Sequence, residues 1–259
     1  MRYVTVKEVA DWLDRLAPFD SAEDFDNVGL LLGDPAAEAR SILFGLDATP
    51  ELAREAAETR TDLIITHHPL IFHPLRRIDY TSPQGRTIVT LAKNRISLIS
   101  AHTNWDKAPG GVCDALAAAL GLQNTRRADD FLRLGDLPAP LDREEMLALI
   151  ADKLHTVPKV YGDGGRFSTV AVAGGAYGEA ATDALLQGAQ AYVVGEIRHH
   201  ELLDACSRGL TVFEAGHFAT EAPGIAALYQ RYLQDAASAS WRTLARLSTS
   251  APYGGAFSR

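Results

Sequence analysis

Imidazoles and carboxylates gather at a few places in this sequence. Six of its eight histidines stand just beyond runs of apolar, β-forming residues: His67, His68, His102, His199, His200 and His217. In open α/β sheets the carboxyl ends of strands are where loops converge on ligands. Histidines spread for packing would not choose that edge so consistently. Imidazole is the commonest metal ligand among side chains, and a neighbouring carboxylate supplies a hard anionic oxygen that offsets the charge of a divalent cation.

His67 and His68 lie in Thr66-His67-His68-Pro69. Neighbouring side chains within a strand point to opposite faces, but at a strand end turned by Pro69 the two rings can reach two different ions. The alternative is a histidine pair that caps loop carbonyls. Asp106 follows in Ala101-His102-Thr103-Asn104-Trp105-Asp106, as a ligand or as the cap of the next helix. His102 reads as a ligand or, preferably, as a residue that orients a carboxylate or bound water. His217 and Glu221 are four apart in Gly216-His217-Phe218-Ala219-Thr220-Glu221 and share one face if the first helical turn is already wound there. A carboxylate so placed can bridge two ions, or simply be a solvated first-turn Glu before the helix start at Ala222-Pro223. His199 and His200, in Gly195-Glu196-Ile197-Arg198-His199-His200-Glu201, are pocket candidates or polar residues that open a helix. No GxSxG elbow, Walker loop, GxGxxG or HExxH competes with these motifs.

The elements that must carry these residues follow a repeated order. Thr5 with Glu8 forms a capping box before Val9, Trp12, Leu13 and Leu16, and Pro18 closes that helix. Strand candidates run over Ile42–Leu46, Leu63–Ile65, Ile96–Ile99, Thr169–Ala173, Ala191–Val194 and Leu210–Phe213, with helical patterns between them. Thr49 and Pro50 give one helix start, Gly110-Gly111 another, and Asp142 with Glu145 a third. The segment Asp136–Pro140 reads as a connector between two similar α/β lobes. Alternating strands and helices predict an α/β class with largely parallel sheets.

Composition narrows the functional classes. A chain of 259 residues with 47% hydrophobic content can bury a large core. Its formal net charge of −8 argues against nucleic acid as a partner. Cys113 and Cys206 form no CxxC pair and read as small apolar side chains. No stretch is long and apolar enough to cross a bilayer, and the start Met1–Glu8 lacks a signal peptide's apolar core, so a cytoplasmic protein without membrane partners is expected.

Read together, Asp26-Asn27-Val28-Gly29-Leu30, the two histidine motifs, Gly195-Glu196 and the final His-Glu motif resemble, in order and spacing, the Nif-three-like family of dinuclear metal-centre proteins. That family is often labelled GTP cyclohydrolase 1 type 2 homologues. The resemblance spans nearly the whole chain. It implies that two divalent ions, zinc, iron or manganese, are held by His67, His68, Asp106, His217 and Glu221. It also implies two intertwined, topologically similar α/β/α lobes, 1–125 plus 220–259 and 126–219, with mixed, largely parallel sheets and the metal site in the cleft between them. A homo-oligomeric ring, commonly a hexamer, is the implied assembly. Trp105 and Phe218 stand where other side chains are usual in the family and would reshape the pocket.

Two functions remain open at this point. The first is a metal-dependent hydrolase acting on a nucleotide-like small molecule, GTP being the substrate the family label implies. Arg76, Arg77, Lys107 and Arg198 are its candidate phosphate contacts by proximity in sequence. The second is a non-enzymatic metal-binding or interaction scaffold. An open coordination position separates them, because catalytic sites keep room for water.

Overall fold

A computed structural model describes residues 2–250. It contains two compact units, Met1–Ala108 with Leu228–Arg259, and Pro109–Ala227. In the first, α1 (Val6–Leu16) starts from Thr5, whose hydroxyl accepts the Glu8 amide while the Glu8 carboxylate accepts the Thr5 amide. This is the capping box read from sequence, and it orients a helix that buries Val6, Val9, Trp12 and Leu13. There follow β1 (Gly29–Leu32), β2 (Ser41–Gly45), α2 (Pro50–Glu58), β3 (Leu63–Thr66), α3 (Pro83–Lys93), β4 (Ser97–Ser100) and the short α4 (Thr103–Lys107). Thr49 caps α2 with Pro50 in its first turn.

The second unit holds α5 (Val112–Ala119), β5 (Gln123–Arg127), β6 (Arg133–Asp142), α6 (Arg143–Leu154), β7 (Lys159–Tyr161) and β8 (Arg166–Ala176). It continues with α7 (Ala181–Leu186), β9 (Ala191–Glu196), α8 (His199–Ser207) and β10 (Thr211–Glu214). The chain then enters α9 (His217–Ser238), whose last turns belong to the first unit, and ends its described structure after β11 (Leu244–Leu247).

Both sheets are mixed: the largely parallel pairing expected from the sequence holds in the first, whereas the second has two parallel and three antiparallel pairings. The first has the order β1-β4-β3-β2-β11. Its β2, β3 and β4 run parallel and are buried at every residue, the burial that helices on both faces impose. β11 adds a parallel edge to β2, and β1 pairs antiparallel with β4, Gly29 opposite Ser100. The second has the order β5-β6-β8-β9-β10-β7, with β8, β9 and β10 parallel and the outer pairs antiparallel.

The segment Asp136–Pro140, expected to be a connector, lies inside β6. Pairing with β8 breaks between Asp136 and Leu141 and resumes after it. Pro138 and Pro140 lack the N–H that a continuous ladder needs, so the strand bulges there and leaves both prolines exposed. The seams of the compact units fall at 108/109 and 227/228, whereas the lobes drawn from the family resemblance divide at 125/126 and 219/220. The first shift has a packing cause: α5 lies on β6 and β8, where Leu116 and Ala117 join the core of Val170, Val172 and Val193.

Candidate metal centre

The first unit brings its histidines together by strand direction. β2, β3 and β4 point the same way, so Asp47, His67, His68 and His102 all emerge at one sheet edge. β1 runs the opposite way, so the residues before it, Asp26 among them, arrive at that same edge. The rings of His67, His68 and His102 have centroids 4.9, 5.1 and 5.4 Å apart. One ring nitrogen from each lies within 4.8 Å of the others, close enough for a shared metal ion.

Each ring is oriented through Nδ1. His67 Nδ1 lies 2.8 Å from the Ala101 carbonyl, His68 Nδ1 2.7 Å from Asp47 Oδ1, and His102 Nδ1 2.9 Å from Asp26 Oδ1. Carbonyls and carboxylates only accept, so the proton sits on Nδ1 and leaves the Nε2 lone pair for a ligand. Asp26 also accepts from the Thr103 amide at 3.0 Å and its hydroxyl at 2.6 Å. Burial opposes ionisation of Asp26, but the bonds from His102 and Thr103 outweigh it and hold the carboxyl well below the usual carboxylate range. Asn104 fixes the same loop by accepting the His102 amide and donating to the Ala17 carbonyl.

Asp106 sits in α4 with its Oδ1 3.5 Å from His67 Nε2. With the His67 proton committed to Ala101, this places a lone pair opposite a carboxylate oxygen. Two such acceptors repel unless a proton or a cation lies between them.

The second unit repeats the device. β8, β9 and β10 are parallel, so Gly175, Glu196 and the start of α9 meet at one edge. His217 Nδ1 lies 3.2 Å from Glu196 Oε1, and His217 Nε2 lies 3.1 Å from Glu221 Oε1. The helix begins at His217 rather than at Ala222-Pro223, and Pro223 lies inside it, so its first turn carries His217 and Glu221 on one face. Glu221 is 4% exposed. Gly175, at φ +60°, makes the space: a Cβ there would lie 2.4 Å from Glu221 Oε1 and 3.2 Å from His217 Nε2. Its amide donates to Thr220 Oγ1 at 3.1 Å, which fastens the strand end to the helix start.

A comparison with protein-family models matches residues 4–250 to DUF34/NIF3, the NGG1p interacting factor 3 family. The chain belongs to the DUF34/NIF3 family. Its relatives include proteins named GTP cyclohydrolase 1 type 2 homolog. One from Streptomyces coelicolor is 36% identical over 233 residues, covering 84% of this chain and 82% of its own. One from Clostridium perfringens is 33% identical over 228 residues, covering 84% and 87%. Among solved structures, a Bacillus cereus protein related to NIF3 superposes with a TM-score of 0.93 at 21% identity, over 97% of this chain and 98% of that one. Reduced HcgD from Methanocaldococcus jannaschii gives 0.78 at 28% identity, over 94% and 97%. The family named by the sequence motifs is therefore the family of the chain, and the NIF3 fold is its fold.

Other sequence candidates fall elsewhere on this NIF3 scaffold. His199 and His200 are exposed in the first turn of α8 and belong to neither the histidine trio nor the His217–Glu221 pair. Lys107 is held by the Ser21 carbonyl at 2.9 Å and Glu23 at 2.5 Å. Arg76 and Arg77 are exposed, and Arg198 faces solvent beside Glu201. The sequence assigns no role at the site to Asp47 or Gly175, and gives Asp26 and Glu196 only a place in family motifs. The signal for the three carboxylates was general: a ligating imidazole needs an acceptor on its other nitrogen.

Proposed function

We propose that this chain is a two-metal hydrolase of a nucleotide-like substrate, with His67, His68, Asp106, His217 and Glu221 as ligands. The observation that carries the reading recurs in both units. An imidazole Nε2 faces a carboxylate oxygen, at 3.5 Å from Asp106 for His67 and at 3.1 Å from Glu221 for His217, whose Nδ1 lies 3.2 Å from Glu196. Ring and carboxylate so placed need a proton or a cation between them, and a divalent ion held by both meets that need. Imidazole with carboxylate fits zinc, iron or manganese. Bound divalent ions supply Lewis acidity and a water acidified toward neutral pH.

The chain's own residues would then divide the work. Asp47 and the Ala101 carbonyl hold the rings of His68 and His67 in the ligating tautomer. His102 has its Nδ1 proton fixed by Asp26, so its Nε2 can accept a proton from an attacking water, and the Asp26 carboxylate stabilises the imidazolium that results. Glu196 plays the orienting part for His217. The names of the relatives point to GTP as the first compound to try. A closed homo-oligomeric ring, a hexamer, is the assembly we propose with this reading, on the resemblance drawn from the sequence motifs.

The experiment is metal analysis of purified protein followed by turnover of GTP, other nucleotides and phosphoesters in metal-replete samples. Turnover abolished by Asp106→Asn, with the fold intact, supports the hydrolase. Metal-replete protein that turns over none of them, or an Asp106→Asn variant that remains active, leaves a metal-binding scaffold in its place.

A further inference from the structure

A second feature lies beside His68. An open cleft of about 300 Å³ is walled by Ala48, Pro50, Pro69, Leu70 and Pro83. Its volume is at the lower end of the range for small-molecule sites, enough for one ring system. Rigid proline rings and short aliphatic groups offer flat apolar faces, suited to the face of a planar ring.

The polar groups in the cleft are mostly acceptors. The Gln84 amide nitrogen donates to the Leu70 carbonyl at 2.6 Å, which settles the orientation of the amide and leaves Oε1 as an acceptor. Asp47 gives Oδ1 to His68, and its second oxygen has no hydrogen bond among the described residues. Thr49 Oγ1 accepts the Leu52 amide at 3.1 Å and keeps its O–H as a donor. No lysine or arginine is among the lining residues. An anionic group here would meet the Asp47 carboxylate and would find a countercharge only in an ion held by His68. A neutral ring with N–H groups on its edge would satisfy both open acceptors.

We infer that this cleft seats the heterocycle of the substrate, a planar ring with N–H donors such as guanine, held by Asp47 and Gln84, while the anionic end lies elsewhere. The inference rests on the hydrolase reading for its substrate class and adds which end of the substrate enters which pocket. Gln84 is then a specificity residue that touches the ring, and Asp47 serves both His68 and the ligand.

Nucleoside binding tests it without turnover. Guanosine, inosine and adenosine are titrated calorimetrically into the full-length protein, once as purified and once after chelation. A site built around donors rejects an analogue that lacks one, so guanosine should bind about tenfold more tightly than inosine in both samples. Gln84→Met should bring that ratio close to one without changing metal content. Equal affinity for the three nucleosides, an unchanged ratio in Gln84→Met, or displacement of guanosine by inorganic phosphate alone would overturn the inference. Nucleoside discrimination without hydrolysis would leave this inference standing and remove the hydrolase reading. Hydrolysis without discrimination would do the reverse.

Discussion

Gly175→Ala puts a methyl group where the second unit has no room for it. The new Cβ would lie 2.4 Å from Glu221 Oε1, and ordinary non-bonded contact begins near 3.5 Å, so carboxylate or strand must move by roughly 1 Å. Metal constellations tolerate about 0.5 Å of misplacement, so the affinity of the ion held by His217 and Glu221 should fall by at least about tenfold. An L-residue at φ +60° adds a conformational cost of about 1–2 kcal/mol, a drop of a few degrees in Tm for a chain of this size. Gly174→Ala is the matched control. Its Cβ would press on Val112 Cγ1 at 2.6 Å, with Glu221 Cγ no closer than 3.4 Å, so it should lower Tm and keep its metal. The assay is metal per chain after dialysis against graded chelator, beside a thermal melt of each variant. If Gly175→Ala retains metal as tightly as the parent while Gly174→Ala behaves as described, the glycine cradle plays no part in metal binding and the argument fails.

Purified protein should carry close to two divalent ions per chain, and His217→Ala and Glu221→Gln should each lower that figure; full occupancy in both would remove them from the ligand set. Asp47→Ala leaves His68 without its Nδ1 partner and should weaken metal binding on the order of 10–100-fold, read by competition with a chromogenic chelator. Sedimentation at micromolar concentration should show a closed oligomer, and a stable monomer would count against the ring. Hydrogen bonding to Arg2, then to the Thr5 amide, holds the Glu8 carboxyl down at about 2. A carboxyl depressed on folding adds stability that is present above its unfolded pKa, near ~4.3, and lost as pH falls through 2. Glu8→Gln should therefore lose less stability than the parent between those values in acid unfolding curves, and parallel curves would refute the pairing.

Much of the fold was legible because its central strands are plain. The six strand candidates coincide with β2, β3, β4, β8, β9 and β10, the buried strands that read as apolar runs. β5 is exposed at all of its residues, β7 has only Lys159–Tyr161, and β11 is partly exposed, so none shows a hydrophobic pattern. Pro138 and Pro140 concealed β6, because prolines at a bulge and prolines in a linker look alike in sequence. At the candidate site, the histidines were visible through their place after strand ends. Asp26 was not assignable, since it meets His102 only because β1 runs against β4. Asp47 was hidden for a similar reason: its partner His68 follows a neighbouring parallel strand, and pairing order cannot be counted along the chain.

The way α9 and β11 return to the first unit bears on the order in which the protein is made. The second unit is one unbroken stretch, Pro109–Ala227, and can close while synthesis continues. The first unit is translated earlier yet finishes later. Until residues 228–247 emerge from the ribosome, β2 has a bare edge where β11 will pair, an invitation to misassembly. Trp12 and Phe44 likewise wait for the buried ring of Tyr232, which packs 5.2 and 5.5 Å from them. The nascent chain therefore holds its histidine trio in sequence long before it can lock the sheet that presents it. Truncation before Leu228 should yield a second unit that folds and a first unit that recruits chaperones.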